Sequence, residues 1–397
     1  MADQRLARHV NERDLLTLLR RQGPLSRAEI SRRLGLTPAT ITRLVSDLAQ
    51  RGLLTEIASK GPAVAREPGR PGTSVGLNED GAFFLGVEIG VGIIRHAVLN
   101  LAAGLVDSSE VEISRHDPPD QVVRTISREI VKLGRRKRYS GKIMGLGLTV
   151  PGLVRTDGYV VHLPILGWKD TNLLGLIAGV TDLPCAVENN ANAAAFGAMY
   201  CDASLGSDSA IFLKLGTGCG GAVVLNGRLL RGASGVAGEL GHVRVSETGV
   251  PCSCGQVGCL ESWVNLAAVA RCYLGTNRIS DAERARLPEE VARAAIAEEP
   301  AALAALDSLS RHLGLGIISL VNVFNPASVV LGGVMRPLIA QCLDRLRPMV
   351  AEGIVPGIPV PELRLSALGV YESAIGAASL AHHRTFDVVD ADYSLNT

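Results

Sequence analysis

Three cysteines, Cys252, Cys254 and Cys259, stand in the spacing C-x-C-G-x-x-G-C, and His242 lies ten positions before the first of them. Three thiolates and one imidazole make a closed tetrahedral set for zinc, with no position left for a catalytic water. The spacing therefore predicts a structural metal. Gly255 and Gly258 let the backbone curl round the thiolates without a Cβ clash. Two carboxylates bracket the ligands, Glu239 three residues before the histidine and Glu261 two after the last cysteine. The metal needs neither. They are either surface groups or the polar wall of a pocket stiffened by zinc, in which the second imidazole nitrogen is an N–H donor for a ligand.

Upstream, Val187-Glu188-Asn189-Asn190-Ala191-Asn192-Ala193 leads into an alanine-rich helix over residues 193–203. Amides both donate and accept, so Asn189 and Asn190 suit hydroxyl groups. They suit a helix N-cap equally well. The elements that must position these groups are two hairpins. Strands at 84–89 and 93–99 flank Gly90-Val91-Gly92, and strands at 210–216 and 222–225 flank Thr217-Gly218-Cys219-Gly220-Gly221. Two strand, glycine loop, strand units, each followed by helices, predict a duplicated two-lobed α/β body with ligands between the lobes.

With these elements in place, E-x-G-H at 239–242 followed by C-x-C-G-x-x-G-C-x-E resembles the signature of the ROK family of repressors, open reading frames and sugar kinases. The resemblance covers nearly the whole chain. It implies an actin-like, hexokinase-like ATPase fold for residues 81–397 and a structural zinc on His242, Cys252, Cys254 and Cys259. It also implies a monosaccharide held by Asn189, Asn190, Glu239, His242 and Glu261. The chain departs from the kinases of that family in two places. Their first glycine loop carries Asp and Thr where this chain has Glu88 and Gly92, whereas Gly216-Thr217-Gly218 and Leu331-Gly332-Gly333 keep the pattern. Their N-D-A-N motif supplies an aspartate that takes a proton from the sugar; Asn190 stands there instead. Losing a general base typically costs about 10²–10⁴ in rate. No residue is therefore expected to be catalytic. The resemblance implies a sugar-responsive transcriptional regulator, a repressor by analogy; the alternative is an ATP-dependent hexose kinase carrying a regulatory head.

That head is legible by itself over residues 1–60. An amphipathic helix at 11–21 carries Leu15, Leu16, Leu18 and Leu19 and stops at Gly23-Pro24. Ser26 precedes Glu29 by three, a capping box for a helix that Gly35 ends. Thr37-Pro38 then caps a helix to about Arg51 with Ile41, Leu44, Val45 and Leu48 inward. A strand at 53–57 follows. This is a winged helix-turn-helix pattern, whose second helix enters the major groove of double-stranded DNA by its N-terminal end. Thr37, Ala39, Thr40, Thr42 and Arg43 lie there, short or forked side chains suited to base edges and phosphates, with Arg27, Arg32 and Arg33 as backbone contacts. The competing reading is a three-helix protein-interaction module. Residues 60–74, rich in glycine and proline, read as wing and linker without regular structure, and the linker extends to residue 80. From it Arg66 and Arg70 are within reach of the minor groove.

Bulk properties agree with this division. Residues 1–72 hold 13 Lys+Arg against 7 Asp+Glu, a charge of +6 that leaves −5 for the remainder of a chain at +1 overall. A basic head on a mildly acidic body points to nucleic acid at the head. Eight cysteines, five of them scattered, fit a reducing cytoplasm rather than a disulfide framework. The polar start argues against a signal peptide. The apolar stretch 313–335 is broken by Asn322 and Asn325-Pro326, so it predicts a buried helix, a turn and a strand and no membrane span. Trp168 is expected in the core and the run Arg135-Arg136-Lys137-Arg138 on a solvated face. A palindromic operator would call for a homodimer or homotetramer.

Overall fold

The computed structural model of the chain describes residues 2–58, 73–155, 157–202, 209–225, 228–233 and 235–386. The head opens with α1 (Ala2–Gln22), which starts well before the expected residue 11. A short strand β1 (Leu25–Ser26) leads into α2 (Arg27–Leu34). Ser26 caps α2 by accepting from the Glu29 N–H at 3.1 Å, and Gly35 ends it in the left-handed conformation at φ 65°. Thr37 caps α3 (Pro38–Gln50), accepting from the Thr40 N–H. Strands β2 (Leu54–Ala58) and β3 (Thr73–Leu77) complete a three-stranded sheet in the order β1-β3-β2. Thr73 and Ser74, expected in the irregular stretch, are instead the start of β3; residues 60–72 fall outside the described residues. Thr73 and Ser74 pair with Ala58 and Ile57 on one side, and Ser74 pairs with Ser26 on the other. Those partners are distant in sequence, and local composition does not reveal them.

Leu15, Leu16 and Leu19 of α1 pack on Ile30, Ile41, Leu44, Val45 and Leu48, and this core continues into the body through Phe84, Leu101 and Ala381. A charged clamp reinforces it. Glu12, 6% exposed, accepts from Arg51 at 2.7 Å and Arg8 at 3.0 Å, and Arg8 also reaches Asp47 at 3.0 Å. Burial alone would raise the Glu12 carboxyl; the Arg51 and Arg8 guanidiniums outweigh it and hold it below its ordinary value. Through Arg51 and Asp47, α1 is tied to α3 and its end.

The body repeats one topology. The first lobe contains β4 (Phe83–Ile89), β5 (Ile93–Asn100), β6 (Leu105–Glu112), α4 (Pro119–Gly134) and β7 (Ile143–Val150). A small ribbon of β8 (Leu153–Val154), β9 (Val160–Leu163) and β10 (Trp168–Thr171) follows, then α5 (Leu173–Ala178), β11 (Cys185–Asn189) and α6 (Asn190–Cys201). The second lobe contains β12 (Ser209–Leu215), β13 (Cys219–Leu225), β14 (Arg228–Leu229), α7 (Glu261–Val264), α8 (Leu266–Leu274), α9 (Asp281–Ile296) and α10 (Pro300–Phe324). It closes with β15 (Ser328–Gly332), α11 (Arg336–Gly353), β16 (Glu362–Leu365) and α12 (Glu372–Phe386). The sheets run β11-β7-β4-β5-β6 and β14-β13-β12-β15-β16. Each sets an antiparallel hairpin, turned by a glycine loop, beside two parallel strands.

The last helix of each lobe meets the other. A Cβ on Gly197 of α6 would lie 2.7 Å from the Gly376 Cα of α12, and one on Gly376 would collide with the Ala193 carbonyl. Backbone contact of this kind admits only glycine. Trp168 is buried, donating to the Asp117 carbonyl at 3.1 Å. Arg136 and Arg138 pair on the surface with Asp107 and Asp80. Among the described residues one helix, α10, is long and apolar enough to cross a membrane; its Leu309, Leu313, Ile317 and Leu320 fill the core of the second lobe. Asn325, left-handed at φ 45°, turns the chain from α10 toward β15.

His96 on β5 is 1% exposed, and neither ring nitrogen has a hydrogen-bond partner among the described residues. Burial lowers it to about 4. The unfolded chain therefore takes up this proton first, near pH 6.5, and stability falls as pH drops from there toward 4. A shift of this size corresponds to roughly 3 kcal/mol. His96→Leu is expected to raise the melting temperature at pH 5 more than at pH 7.5, as followed by thermal denaturation across that range.

Candidate functional site

Between the lobes lies a narrow cleft of about 10 Å³, open to solvent, that is walled by Gly152, Leu153 and Val154, by Asn189 and Asn192, and by Gly221, Gly235, Val236, Ala237 and Glu239. That is room for about one water molecule, so a larger polar ligand needs the lobes to part. The N-terminus of α6 forms its floor. Asn189 is the N-cap: its side-chain oxygen accepts from Ala191 N–H at 2.8 Å and Asn192 N–H at 3.2 Å, while its amide donates to the Gly152 carbonyl at 2.9 Å. Capping therefore occupies much of the hydrogen-bonding capacity of Asn189. Asn190, the next residue, is half-buried and does not line the cleft; its carbonyl accepts from the Ser373 hydroxyl at 3.1 Å. Asn192 takes the wall position that the sequence reading gave to Asn190. It lies three residues after the Asn189 cap, lines the cleft, and donates to the buried carboxylate of Glu188 at 3.0 Å. The last asparagine of N-N-A-N was the available signal, because i and i+3 share a helix face.

Glu188 organises the floor. It accepts from the Asn189 backbone at 2.9 Å and Asn192, and it pairs with Arg231 of the second lobe at 2.5 Å. Arg231 opens the loop that carries Gly235, Val236, Ala237 and Glu239, and its carbonyl accepts from the Ala237 N–H at 3.0 Å. Periodicity gives no hint of this cross-lobe pair.

The far wall is the metal knuckle. The ligand atoms of His242, Cys252, Cys254 and Cys259 all lie within 4.8 Å of one another. Two thiolates ~2.3 Å from a tetrahedral zinc are about 3.8 Å apart, and a thiolate and an imidazole about 3.6 Å. The Cys254 and Cys259 sulfurs are 3.7 Å apart, and His242 Nδ1 is 3.4 Å from the Cys252 sulfur. The four residues fit a tetrahedral ion. Nδ1 faces the thiols, so Nε2 is left toward Glu239, whose carboxylate is 3.5 Å away on the cleft wall. Glu261 does not line the cleft. One of its oxygens accepts from Ser253 at 2.6 Å and Cys252 at 3.3 Å, and the other from the Cys219 N–H at 3.1 Å. It fastens the knuckle to the second glycine hairpin.

The two glycine hairpins face each other across an ion pair. Lys214 of β12 donates to Glu88 of β4 at 3.0 Å and to Ser373 of α12. Glu88 also receives Arg95 at 3.5 Å. Burial would raise the Glu88 carboxyl, and Lys214 and Arg95 outweigh it. Gly332, in the loop kept by the sequence pattern, is covered: a Cβ there would meet Glu372 Oε2 at 2.5 Å and the Phe212 ring at 2.7 Å.

In the head, Thr37, Ala39, Thr42 and Arg43 are exposed along the start of α3 and Thr40 is half-buried, its hydroxyl 2.9 Å from that of Thr37. Arg43 forms no ion pair among the described residues. Arg27 pairs with Glu56 of the wing at 2.6 Å, and Arg32 and Arg33 pair with Glu29 on α2. Arg66 and Arg70 fall outside the described residues.

Residues 84–384 match the ROK family, and residues 9–63 match the MarR family. The chain belongs to the ROK family. Among its relatives, a glucokinase of Halalkalibacterium halodurans is 31% identical over 75% of this chain and 94% of its own length. The xylose repressor of Bacillus subtilis is 27% identical over 98% of this chain and 99% of its own. A crystal structure of a ROK family transcriptional regulator, a homologue of the E. coli MLC protein, superposes with a TM-score of 0.79 at 26% identity, covering 96% of this chain and 97% of that one. The glucokinase resemblance spans three quarters of this ROK chain; the two regulators align over nearly all of it, head included.

The knuckle geometry carries a prediction. Elemental analysis should find one divalent metal per chain, and Cys254→Ser, at an exposed ligand, should lose both that stoichiometry and thermal stability. Retention of both would remove the metal site.

Proposed function

We propose that this chain is a sugar-responsive, DNA-binding transcriptional repressor, whose kinase-like body holds a monosaccharide without phosphorylating it. The Glu88–Lys214 ion pair carries the second half of that statement. A nucleotide bridging two glycine hairpins needs backbone N–H groups free to close on phosphate. Here an ammonium and a carboxylate bridge them, the Cys219 N–H is bonded to Glu261, and Glu372 covers Gly332. Asn190 stands where the kinases of the family carry a base, and an amide cannot act as one. The kinase reading draws on the glucokinase relative, whose match spans 75% of this chain, against 98% for the xylose repressor.

The sugar lies in the cleft. Asn192, Asn189 and Glu239 offer hydroxyl partners, with His242 Nε2 behind Glu239; Asn190 and Glu261, which the family resemblance also names, lie outside the wall. Leu153, Val154, Val236 and Ala237 take its apolar face. The wall has a carboxylate and, among the described residues, no lysine or arginine, which favours a neutral sugar over a sugar phosphate. Zinc on His242, Cys252, Cys254 and Cys259 is structural: it braces the loop and keeps the His242 ring oriented toward Glu239. The DNA face is the start of α3, with Thr37, Ala39, Thr40, Thr42 and Arg43 toward base edges and Arg27 and Arg70 toward phosphate or the minor groove. Two copies set two heads on half-sites of a cytoplasmic palindromic operator about 34–36 Å apart.

A thermal-shift panel of D-xylose, D-glucose and N-acetyl-D-glucosamine should stabilise the chain with one of them, and the same sugar should release duplex DNA from upstream of its own gene in a gel shift. Glu239→Gln should weaken that sugar by about tenfold, the loss of one charge-assisted hydrogen bond. A coupled assay with ATP should stay at background. Sustained phosphorylation of the sugar would overturn the reading.

A further inference from the structure

We infer that α6 is the part that carries sugar occupancy to the DNA-reading head, through the contact of Arg20 with Tyr200. This rests on the sugar-responsive reading above and names the route by which that site acts.

The N-terminus of α6 is the floor of the cleft, with Asn189 as its cap and Asn192 on the wall. Its C-terminus touches the head. Arg20, in the last turn of α1, donates to the Tyr200 carbonyl at 2.8 Å, and its guanidinium lies 4.0 Å above the centre of the Tyr200 ring. That carbonyl belongs to the last turn of α6, where a cation is favoured. The head thus caps one end of the helix whose other end holds the ligand. Twelve residues span about 18 Å.

The helix is not free to absorb a displacement locally. Gly197 and Gly376 lock it in backbone contact with α12, so it translates or tilts as a unit with that neighbour. The Tyr200 hydroxyl is bonded to His382 Nδ1 at 2.7 Å, and His382 Nε2 to the Leu101 carbonyl at 2.9 Å, which fixes the ring that Arg20 rests on. Beyond Arg20 the path continues without slack. Arg8 and Glu12 of α1 hold Asp47 and Arg51 at the end of α3, and Leu15, Leu16 and Leu19 share its core. The rest of the seat is apolar at Phe84, Leu101 and Ala381, and Asn78 adds two bonds just past α3, its N–H donating to the Leu53 carbonyl at 2.9 Å and its amide to the Gly52 carbonyl at 2.7 Å. A sugar that draws Asn192 toward Glu239 shifts α6; Arg20 follows the carbonyl, and α3 turns with α1.

The test is a coupling measurement on the full chain. Operator affinity is measured with and without saturating sugar, using the panel sugar that gives the largest thermal shift and DNA upstream of its own gene. Couplings of this kind are typically about 5–150-fold. The unaltered chain is expected to show at least about fivefold weakening by sugar. Arg20→Ala is expected to bring the ratio to within about twofold of one, with sugar affinity in the absence of DNA kept within about threefold. Tyr200→Leu, which removes the ring from the body side and leaves the head sequence intact, should lower the ratio in the same direction. If both variants keep the ratio of the unaltered chain, or if Arg20→Ala abolishes sugar binding itself, the relay is wrong. An unaltered chain that shows no sugar effect on DNA overturns the repressor reading, an outcome distinct from either variant result.

Discussion

Two helices without side chains at their crossing hold this molecule together. At Gly197 and Gly376 the backbones of α6 and α12 touch, and neither residue can gain a Cβ without parting them. α12 follows the second lobe in sequence but lies on the sheet of the first: Cβ atoms on Gly86 and Gly147 would strike the carbonyls of Ala374 and Ala377. The lobes are therefore stitched by an element that belongs to both. The start of α6 forms the ligand floor, the start of α12 reaches Lys214 between the glycine hairpins, and both helices end beneath the head.

Three buried carboxylates add directional ties to this packing. Glu12 answers to Arg8 and Arg51, Glu88 to Lys214 and Arg95, and Glu188 to Arg231. Each joins different pieces: helix to recognition helix, lobe to lobe, cleft loop to α6. A buried ion pair contributes little net stability, but removing one partner leaves an uncompensated charge and costs about 3–5 kcal/mol. Their role here is registry. They specify how pieces that apolar packing would tolerate in several positions are set against one another.

Much of this was legible in the sequence because the signals were local. Ser26, Gly35 and Thr37 mark helix ends through bonds to their near neighbours, and the structure has them in those roles. The two glycine hairpins and the ligand spacing of the cysteines are also short-range. What escaped was long-range or a matter of facing. Lys214, Arg231 and Arg20 act through partners 126, 43 and 180 residues away. β3 exists only because two strands flank it. Asn192 lay in plain view, but whether it or Asn190 faces the cleft depends on the rotation of α6, which Asn189 sets by capping.

The core of the head does not end at the head. Leu15, Leu16 and Leu19 share one apolar cluster with Phe84 of β4, Leu101 just after β5 and Ala381 of α12. Modularity is thus limited: the reader of DNA and the holder of ligand were not joined like beads on a string. Severing the chain near residue 78 would strip a hydrophobic floor from the fragment and bare a greasy patch on the remainder. A chimera that swaps in a foreign head must import its matching seat as well, or the transplanted piece will bind DNA deaf to the sugar.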